Sequence, residues 1–241
     1  MSHLGIIVGI PAEARSLVKH PVTNDGPIRV REGVTLNVSG IGPRRASLAS
    51  QILLEKGVTA LLSWGIAGAL SPKLSRGSLI LPKTIIASNG FTYPVDTSWH
   101  RSLCNRLKGQ IEFHTGPLAE SAIVVRTPAE KAVLFQQTGA IGVDMESAAV
   151  AAAAEKARIP FLAVRAVSDS TDITLPDSVL NACDEFGRLN FLKLIWGLAG
   201  RPTELFLVIH LAQDYWAAQK TLAFVTRLTG SDLLLKEGCS E

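Results

Sequence analysis

Residues 142–172, GVDMESAAVAAAAEKARIPFLAVRAVSDSTD, predict a helix and a strand that decide the fold. The alanine-rich part is typical of a helix, and the apolar run 161–167 predicts a buried strand. Glu146 stands at the start of the helix and Asp169 just beyond the strand. Because open α/β sheets bind ligands beyond the carboxyl ends of their strands, both carboxylates could face one crevice. The same pattern is also typical of a capped helix with an acidic first turn.

Strands and helices are predicted to alternate along the rest of the chain. Apolar runs indicate the strands, and Pro, Gly and acidic residues mark the helix ends. Strands are predicted at 4–9, 28–38 (two strands with a turn), 58–64, 78–87, 141–143 and 161–167, and helices from Pro11, at 44–56, 98–108, 128–137 and after Glu146. This order predicts an α/β fold with a central, mainly parallel mixed sheet flanked by helices. We assign 1–188 to this domain and 189–241 to a C-terminal helical extension packed on it.

Composition narrows the class of protein. With 241 residues, 47% hydrophobic and 19% charged, the chain is long enough to bury one substantial core. A net charge of +3 without a Lys/Arg run argues against nucleic-acid binding. Dispersed histidines and the separated Cys104, Cys183 and Cys239 predict neither a metal site nor a disulfide framework. With no signal-peptide pattern and no apolar run of about 18 residues, we expect a cytoplasmic protein.

The C-terminal third is predicted to form apolar helices. The segment NFLKLIWGLAG has Lys193 as its one charged residue, and a break at 200–202 separates it from TELFLVIHLAQDYWAAQKTLAFVTRL. A helix that is apolar nearly all round should be buried or covered. Packing on the sheet and at a homodimer contact is one interpretation; a surface for an apolar substituent or a membrane is the other. The apolar residues in question are Leu189, Phe191, Leu192, Ile195, Trp196, Leu205, Phe206, Val208 and Ile209.

Three short motifs resemble the nucleoside phosphorylase and nucleosidase superfamily, over about residues 4–172. Met145-Glu146, in V-D-M-E, is similar to the pair with which members hold ribose. Ser168-Asp169 is similar to the pair whose Asp protonates the base. Glu13 falls where the hydrolytic nucleosidases carry the Glu that activates water. The resemblance implies a small-molecule nucleoside substrate, cleavage of its N-glycosidic bond and, since relatives assemble, a homodimer.

The chemistry of the carboxylates agrees with this resemblance. Breaking a purine N-glycosidic bond creates an oxocarbenium-like ribose and moves negative charge onto the base. A carboxylate on the 2′ and 3′ hydroxyls complements that cation, and we assign this role to Glu146. An acid near purine N7 neutralises the leaving group, and we assign this role to Asp169. Met145 offers a soft apolar surface beneath the ribose.

The segment Gly65-Ile66-Ala67-Gly68 resembles the superfamily loop that contacts phosphate or ribose. Ile66 replaces a serine of that loop, and Ser63 stands where the purine nucleoside phosphorylases carry an arginine. Both departures remove side-chain contacts to an anion. We therefore predict that this segment binds the substrate.

A second glycine turn, Gly40-Ile41-Gly42-Pro43, opens the helix that carries Arg44 and Arg45. Amides at a helix N-terminus favour an anion, so Gly42, Arg44 and Arg45 are the predicted phosphate site. A tight turn with two solvated arginines is the alternative. Arg45 occupies the third glycine position of G-x-G-x-x-G, which argues against a dinucleotide oxidoreductase.

The motif S-D-x-x-D…LP, the stretch DEFGRLN and the apolar helices resemble the hopanoid-associated phosphorylase branch. That branch is taken to remove adenine from adenosylhopane. The resemblance implies an adenosine with a bulky apolar 5′ substituent, as in a lipid-linked nucleoside, and phosphate as co-substrate without a cofactor. It also implies contact with the inner face of the membrane. Hydrolysis by a methylthioadenosine/adenosylhomocysteine nucleosidase is the alternative, since Glu13 favours water and the arginines favour phosphate. A binding protein without turnover would not need all three carboxylates.

Overall fold

The computed structural model describes residues 3–18, 20–23, 25–184, 186–187, 190–201, 203–230, 233 and 235. The strands are β1 (Leu4–Val8), β2 (Ile28–Arg31), β3 (Val34–Val38), β4 (Ala60–Ala69), β5 (Leu79–Ile80), β6 (Thr84–Ile86), β7 (Thr92–Pro94), β8 (Phe113–His114), β9 (Leu118–Glu120), β10 (Gly142–Asp144) and β11 (Phe161–Asp169). The helices are α1 (Pro11–Ala14), α2 (Pro43–Glu55), α3 (Thr97–Leu107), α4 (Pro128–Thr138), α5 (Ser147–Ala157), α6 (Asp177–Ala182), α7 (Phe191–Gly200) and α8 (Glu204–Thr229). The predicted α/β fold with a central, mainly parallel mixed sheet is confirmed.

Strand β4 is the centre of the sheet. β1 and β11 pair with it in parallel, and β10 pairs antiparallel with its last residues. One arm continues from β1 to β3 and β2, another from β10 through β9 and β6 to β7, and a third from β11 through β5 to β8. Because β1, β4 and β11 run in parallel, their carboxyl ends lie at one edge of the sheet. That edge carries the candidate site, as expected for open α/β sheets.

The central strands are covered by helices. Every residue of β1 and of β11 is buried, which explains their continuous apolar sequences. Helix α5 and helix α8 both pack against β4 and β11. The second half of α8 places Ala218, Leu222 and Val225 in the main core. The central sheet is therefore held rigidly beneath the candidate site.

The structure corrects several predicted boundaries. Residues 65–68 are not a loop, because β4 continues through them while it pairs with β11 and β10. Ser168 and Asp169 belong to the end of β11 and do not follow it. The predicted strand 78–87 is two strands, since Pro82 lies between them and β5 and β6 pair with different neighbours. The short strands β7 to β9 and helix α6 were not predicted.

The C-terminal helices differ from the prediction at α7. No side chain that the structure describes on this helix is buried, and Trp196 is 77% exposed. The described chain does not itself cover this helix, so its predicted cover, a subunit contact or an apolar group, stays a prediction. Leu189, Cys239 and the side chain of Phe191 lie outside the described residues. Among the helices that the structure describes, none is long and apolar enough to cross a bilayer.

Candidate active site

A cavity of about 220 Å³ lies at the carboxyl-end edge of the central strands. It collects residues that are far apart in the sequence, from β1–α1, β4, the β10–α5 junction and the end of β11. The predicted site residues that line it are Glu13, Ile66, Ala67, Gly68, Met145, Glu146, Ser168 and Asp169. The three predicted catalytic carboxylates therefore face one space.

Glu13 is clamped by three backbone N–H groups. Pro11 starts α1 directly after β1, and Glu13 folds back so that Oε2 accepts hydrogen bonds from Gly9 N (2.8 Å) and Ile10 N (3.1 Å). Its Oε1 accepts one from Ile66 N of β4 at 2.9 Å. Burial raises the pKa of Glu13, while the Arg165 charge and these N–H groups oppose the rise. The carboxyl group is thus rigid and can take up a proton more readily than a solvated one.

Glu146 lies at the start of α5 and is held from the other side of the cavity. Its Oε1 accepts a hydrogen bond from Gly42 N at 2.9 Å. Gly42 has φ 103°, a conformation that favours glycine, and this turn aims its amide at the carboxylate. Burial raises the pKa of Glu146 to about 8, helped by the negative charges of Asp144 and Glu13. The site therefore holds a carboxyl group that ionises near neutral pH.

Asp169 closes the cavity at the end of β11. Ser168 Oγ lies 2.9 Å from its Oδ1 and donates to it, and Lys131 Nζ of α4 lies 2.7 Å from its Oδ2. The side chains of Lys131 and Asp169 are only 1% and 9% exposed. Sequence reasoning missed Lys131, because a lysine beside Glu130 in a helix is typical of a solvated surface.

A buried arginine supports the cavity from below. Arg165, inside β11, donates from Nε to Asp144 Oδ2 at 2.8 Å and from Nη2 to Ser63 Oγ at 2.6 Å. Ser147 Oγ also donates to Asp144 Oδ2 and accepts from Arg165 Nη2. Ser63, where the resemblance implied a lost arginine, is therefore a partner of another arginine. An arginine inside an apolar strand was the sequence signal for this network, and it was missed.

The residues of the predicted phosphate site do not all face the cavity of the carboxylates. The Gly42 amide binds Glu146, so it already has an acceptor. Arg44 is exposed and lines a neighbouring surface cavity together with Arg45, whose guanidinium lies 4.9 Å from the ring centre of Phe186. Among the residues that the structure describes, neither arginine lines the cavity of the carboxylates. Phosphate binding at these residues stays a prediction.

Within the described part of the chain, no group of His, Cys, Asp and Glu is arranged to hold a metal ion. The cavity itself offers carboxylates, amides and hydroxyls, with the buried cations of Lys131 and Arg165 beside them.

Comparison with known proteins identifies the family of this chain. The profile of the Phosphorylase superfamily matches residues 3–190. The chain belongs to the Phosphorylase superfamily. The predicted resemblance and the prediction of an enzyme that acts on N-glycosidic bonds are thereby confirmed, whereas membership of the hopanoid-associated branch stays a prediction.

Individual members of the superfamily are similar to this chain in sequence or in fold. A 5'-methylthioadenosine/S-adenosylhomocysteine nucleosidase of Buchnera aphidicola is 30% identical over 158 residues, which cover 58% of this chain and 68% of the relative. An aminodeoxyfutalosine nucleosidase of Campylobacter jejuni is 26% identical over 56% of this chain and 67% of its own length. The crystal structure of the Helicobacter pylori methylthioadenosine nucleosidase has a TM-score of 0.69 at 18% identity and covers 94% of this chain and 98% of its own. The structural likeness establishes the fold alone.

In this Phosphorylase superfamily chain, the glycines around the cavity make room for carboxylates. A Cβ at Gly65 would collide with the Glu13 carboxylate, and a Cβ at Gly68 would lie 3.0 Å from Asp169 Oδ2. A Cβ at Gly9 would lie 3.5 Å from oxygens of both Glu13 and Glu146. The glycines of the G-I-A-G segment are therefore explained by close approach within a strand, and not by a turn.

We predict that Gly65→Ala lowers nucleoside cleavage by about a hundredfold or more, because the methyl group displaces the Glu13 carboxylate. The matched control is Gly200→Ala on α7, where an added Cβ meets open space. Initial rates and thermal unfolding would be measured for both variants. Equal activity in the two, with Gly65→Ala folded, would show that the close approach at Gly65 has no role in catalysis.

Proposed function

We propose that the chain hydrolyses the N-glycosidic bond of a 5′-substituted adenosine and releases adenine. The observation that carries this proposal is the position of Glu13, whose backbone-clamped carboxyl group lines the same cavity as Glu146 and Asp169. The nucleosidase names of the relatives support the same reaction class.

The proposed reaction assigns one step to each carboxylate. Glu146 holds the ribose hydroxyls and complements the positive charge that develops on the sugar. Asp169 gives a proton to purine N7 as the bond to the base breaks. Glu13 takes a proton from the attacking water, and its raised pKa brings its basicity closer to neutral, where a general base works best. Met145 and Ile66 provide apolar walls of the cavity.

Water is a better-supported nucleophile than phosphate. The resemblance to the hopanoid-associated branch implied phosphorolysis, with Arg44 and Arg45 in the predicted phosphate site, but both arginines lie outside the lining of this cavity among the described residues. Glu13, by contrast, lies inside it. The named relatives are nucleosidases, which favours the hydrolytic alternative over the first expectation.

We predict adenine release from methylthioadenosine in phosphate-free buffer, with free methylthioribose as the second product. Glu13→Gln should lower the rate by about a hundredfold or more, because its amide cannot accept the proton of water. Asp169→Asn should be equally impaired, because it cannot donate to N7. Product masses and rates would be measured with and without phosphate. A strict requirement for phosphate, with a phosphorylated sugar as product, would contradict hydrolysis.

The expected pH dependence of catalysis follows from the pKa of Glu146. Glu146 must be ionised to complement a cationic ribose, and its pKa is raised to about 8, so kcat/KM should fall as the pH drops below about 8. The pKa of Glu13 is also raised. Because Glu13 acts as a carboxylate, its protonation at lower pH should reduce kcat/KM as well. The measurement is a profile of kcat/KM from acid to alkaline pH with methylthioadenosine. A profile that stays flat from about pH 5 to pH 8 would contradict these roles.

A second candidate concerns the 5′ substituent. Trp196 on α7 and Phe206 on α8 are 77% and 67% exposed, and Leu192, Ile195 and Leu205 are exposed on the same two helices. Exposed apolar patches of this kind typically mark a binding surface. Among the described residues, none of these side chains lines the cavity of the carboxylates, and we propose that the patch they form receives a bulky apolar 5′ group, as in a lipid-linked adenosine.

For this candidate, Trp196→Ser or Phe206→Ser should lower turnover of a lipid-linked adenosine by about tenfold or more, because each loses apolar contact area. Turnover of methylthioadenosine should remain within about twofold of the wild type. Trp216→Ser is the matched control, since Trp216 is 65% exposed on α8 but lines a separate cavity with Arg15. Equal losses on both nucleosides would assign these residues to folding or to an interface between subunits.

A further inference from the structure

Lys131 is the residue of the site that local structure explains least. It lies in the first turn of α4, where a positive charge opposes the helix dipole. It is also 1% exposed, and burial of an ammonium group is costly unless every donor is paired. A lysine in this place weakens its own helix. Such a conflict between local preference and fold is typical of a functional position.

The three donors of the ammonium group are all used. Lys131 Nζ donates to Asp169 Oδ2 at 2.7 Å, to the Ser170 carbonyl at 2.6 Å and to the Ile173 carbonyl at 3.2 Å. Because an ammonium has three N–H donors and no acceptor, this set of partners fits the charged form. Lys131 thereby ties α4 to the end of β11 and to the segment that follows it.

Both oxygens of Asp169 are thereby fixed. Lys131 engages Oδ2, and Ser168 Oγ engages Oδ1 at 2.9 Å while it also lies 3.3 Å from the Ala67 carbonyl. Gly68 leaves the space that the carboxyl group occupies. The group is therefore held at one place on the cavity wall.

We infer that Lys131 is a positioning residue for Asp169, which aims the carboxyl group at the leaving base and stabilises the carboxylate that proton transfer leaves behind. This inference rests on the proposed function. As the C1′–N9 bond breaks, its electron pair goes to the purine, and the proton of the Asp169 carboxyl passes to N7. Asp169 is left as a carboxylate, and the ammonium 2.7 Å away stabilises that charge.

Two other carboxylates lie on neighbouring elements. Asp214 of α8 is paired with Arg76 at 3.6 Å, and its charge interacts with that of Asp169. Asp172 lies beyond β11, where Ser170 Oγ donates to it at 2.6 Å. Among the described residues, the charged side chain that contacts Asp169 directly is that of Lys131.

The test compares Lys131→Met and Lys131→Gln, which remove the charge, with Lys131→Arg, which keeps it. Lys156→Met, at an exposed position on α5, is the matched control. Adenine release from methylthioadenosine would be measured across the pH range, with thermal unfolding as the check of folding. Two charge-free variants are used so that a folding defect in one does not decide the result.

We expect the charge-free variants to lose about tenfold or more in kcat, because the departing proton leaves an unpaired buried carboxylate. The alkaline limb of their pH–rate profile should move to higher pH by about one unit or more, because the Asp169 carboxyl group keeps its proton to higher pH when no cation lies beside it. Lys131→Arg should keep the limb within about half a unit of the wild type. In a protein that already carries Asp169→Asn, adding Lys131→Met should lower kcat by less than about a further twofold, because the two residues act as one unit.

An alkaline limb that stays in place in the folded charge-free variants would overturn the inference, whatever their kcat. So would a shift in Lys131→Arg as large as that in Lys131→Met, because the positive charge that Arg keeps would then have no effect on Asp169. These outcomes are distinct from failure of the proposed function, in which the wild type releases no adenine or Asp169→Asn remains active.

Discussion

Four carboxyl groups, those of Glu13, Asp144, Glu146 and Asp169, line one small cavity, and their mutual repulsion is the constraint around which this structure is arranged. Glu13 and Glu146 approach the same point beside Gly9, and each raises the cost of ionising the other. Backbone N–H groups, Arg165 and Lys131 compensate from outside the cavity. The sheet supplies these partners only because β1, β4 and β11 end at one edge.

This compensation is unequal, and the inequality separates the roles. Glu13 and Glu146 have amide donors and Arg165 behind them, yet their pKa values remain raised by burial. Asp169 alone contacts an ammonium group directly. An ammonium beside Asp169 stabilises the carboxylate that remains once the proton has passed to the base. In our account Asp169 gives up its proton while the other two act as carboxylates.

The sequence allowed us to predict that Glu13, Glu146 and Asp169 lie close together. Each of them follows an apolar run that was predicted to be a buried strand, and such strands end at one edge of the sheet. It misled at residues 65–68, where glycines suggested a turn, although they stand in β4 to admit Glu13 and Asp169. Lys131 could not be predicted, since nothing local indicates that a lysine beside Glu130 is buried 38 positions before its partner. What covers the exposed Trp196 could not be predicted either, because an apolar helix does not reveal its partner.

The central claim is that the cavity is complementary to a cationic ribose beside a protonated adenine. The most direct measurement is the dissociation constant of an adenosine analogue whose ribose is replaced by a protonated pyrrolidine, compared with that of its neutral ribose counterpart. Transition-state analogues typically bind at least about a hundredfold more tightly than substrates. The account predicts such a preference in the wild type and its loss in Glu146→Gln. Equal affinity for the two ligands in the wild type would contradict it.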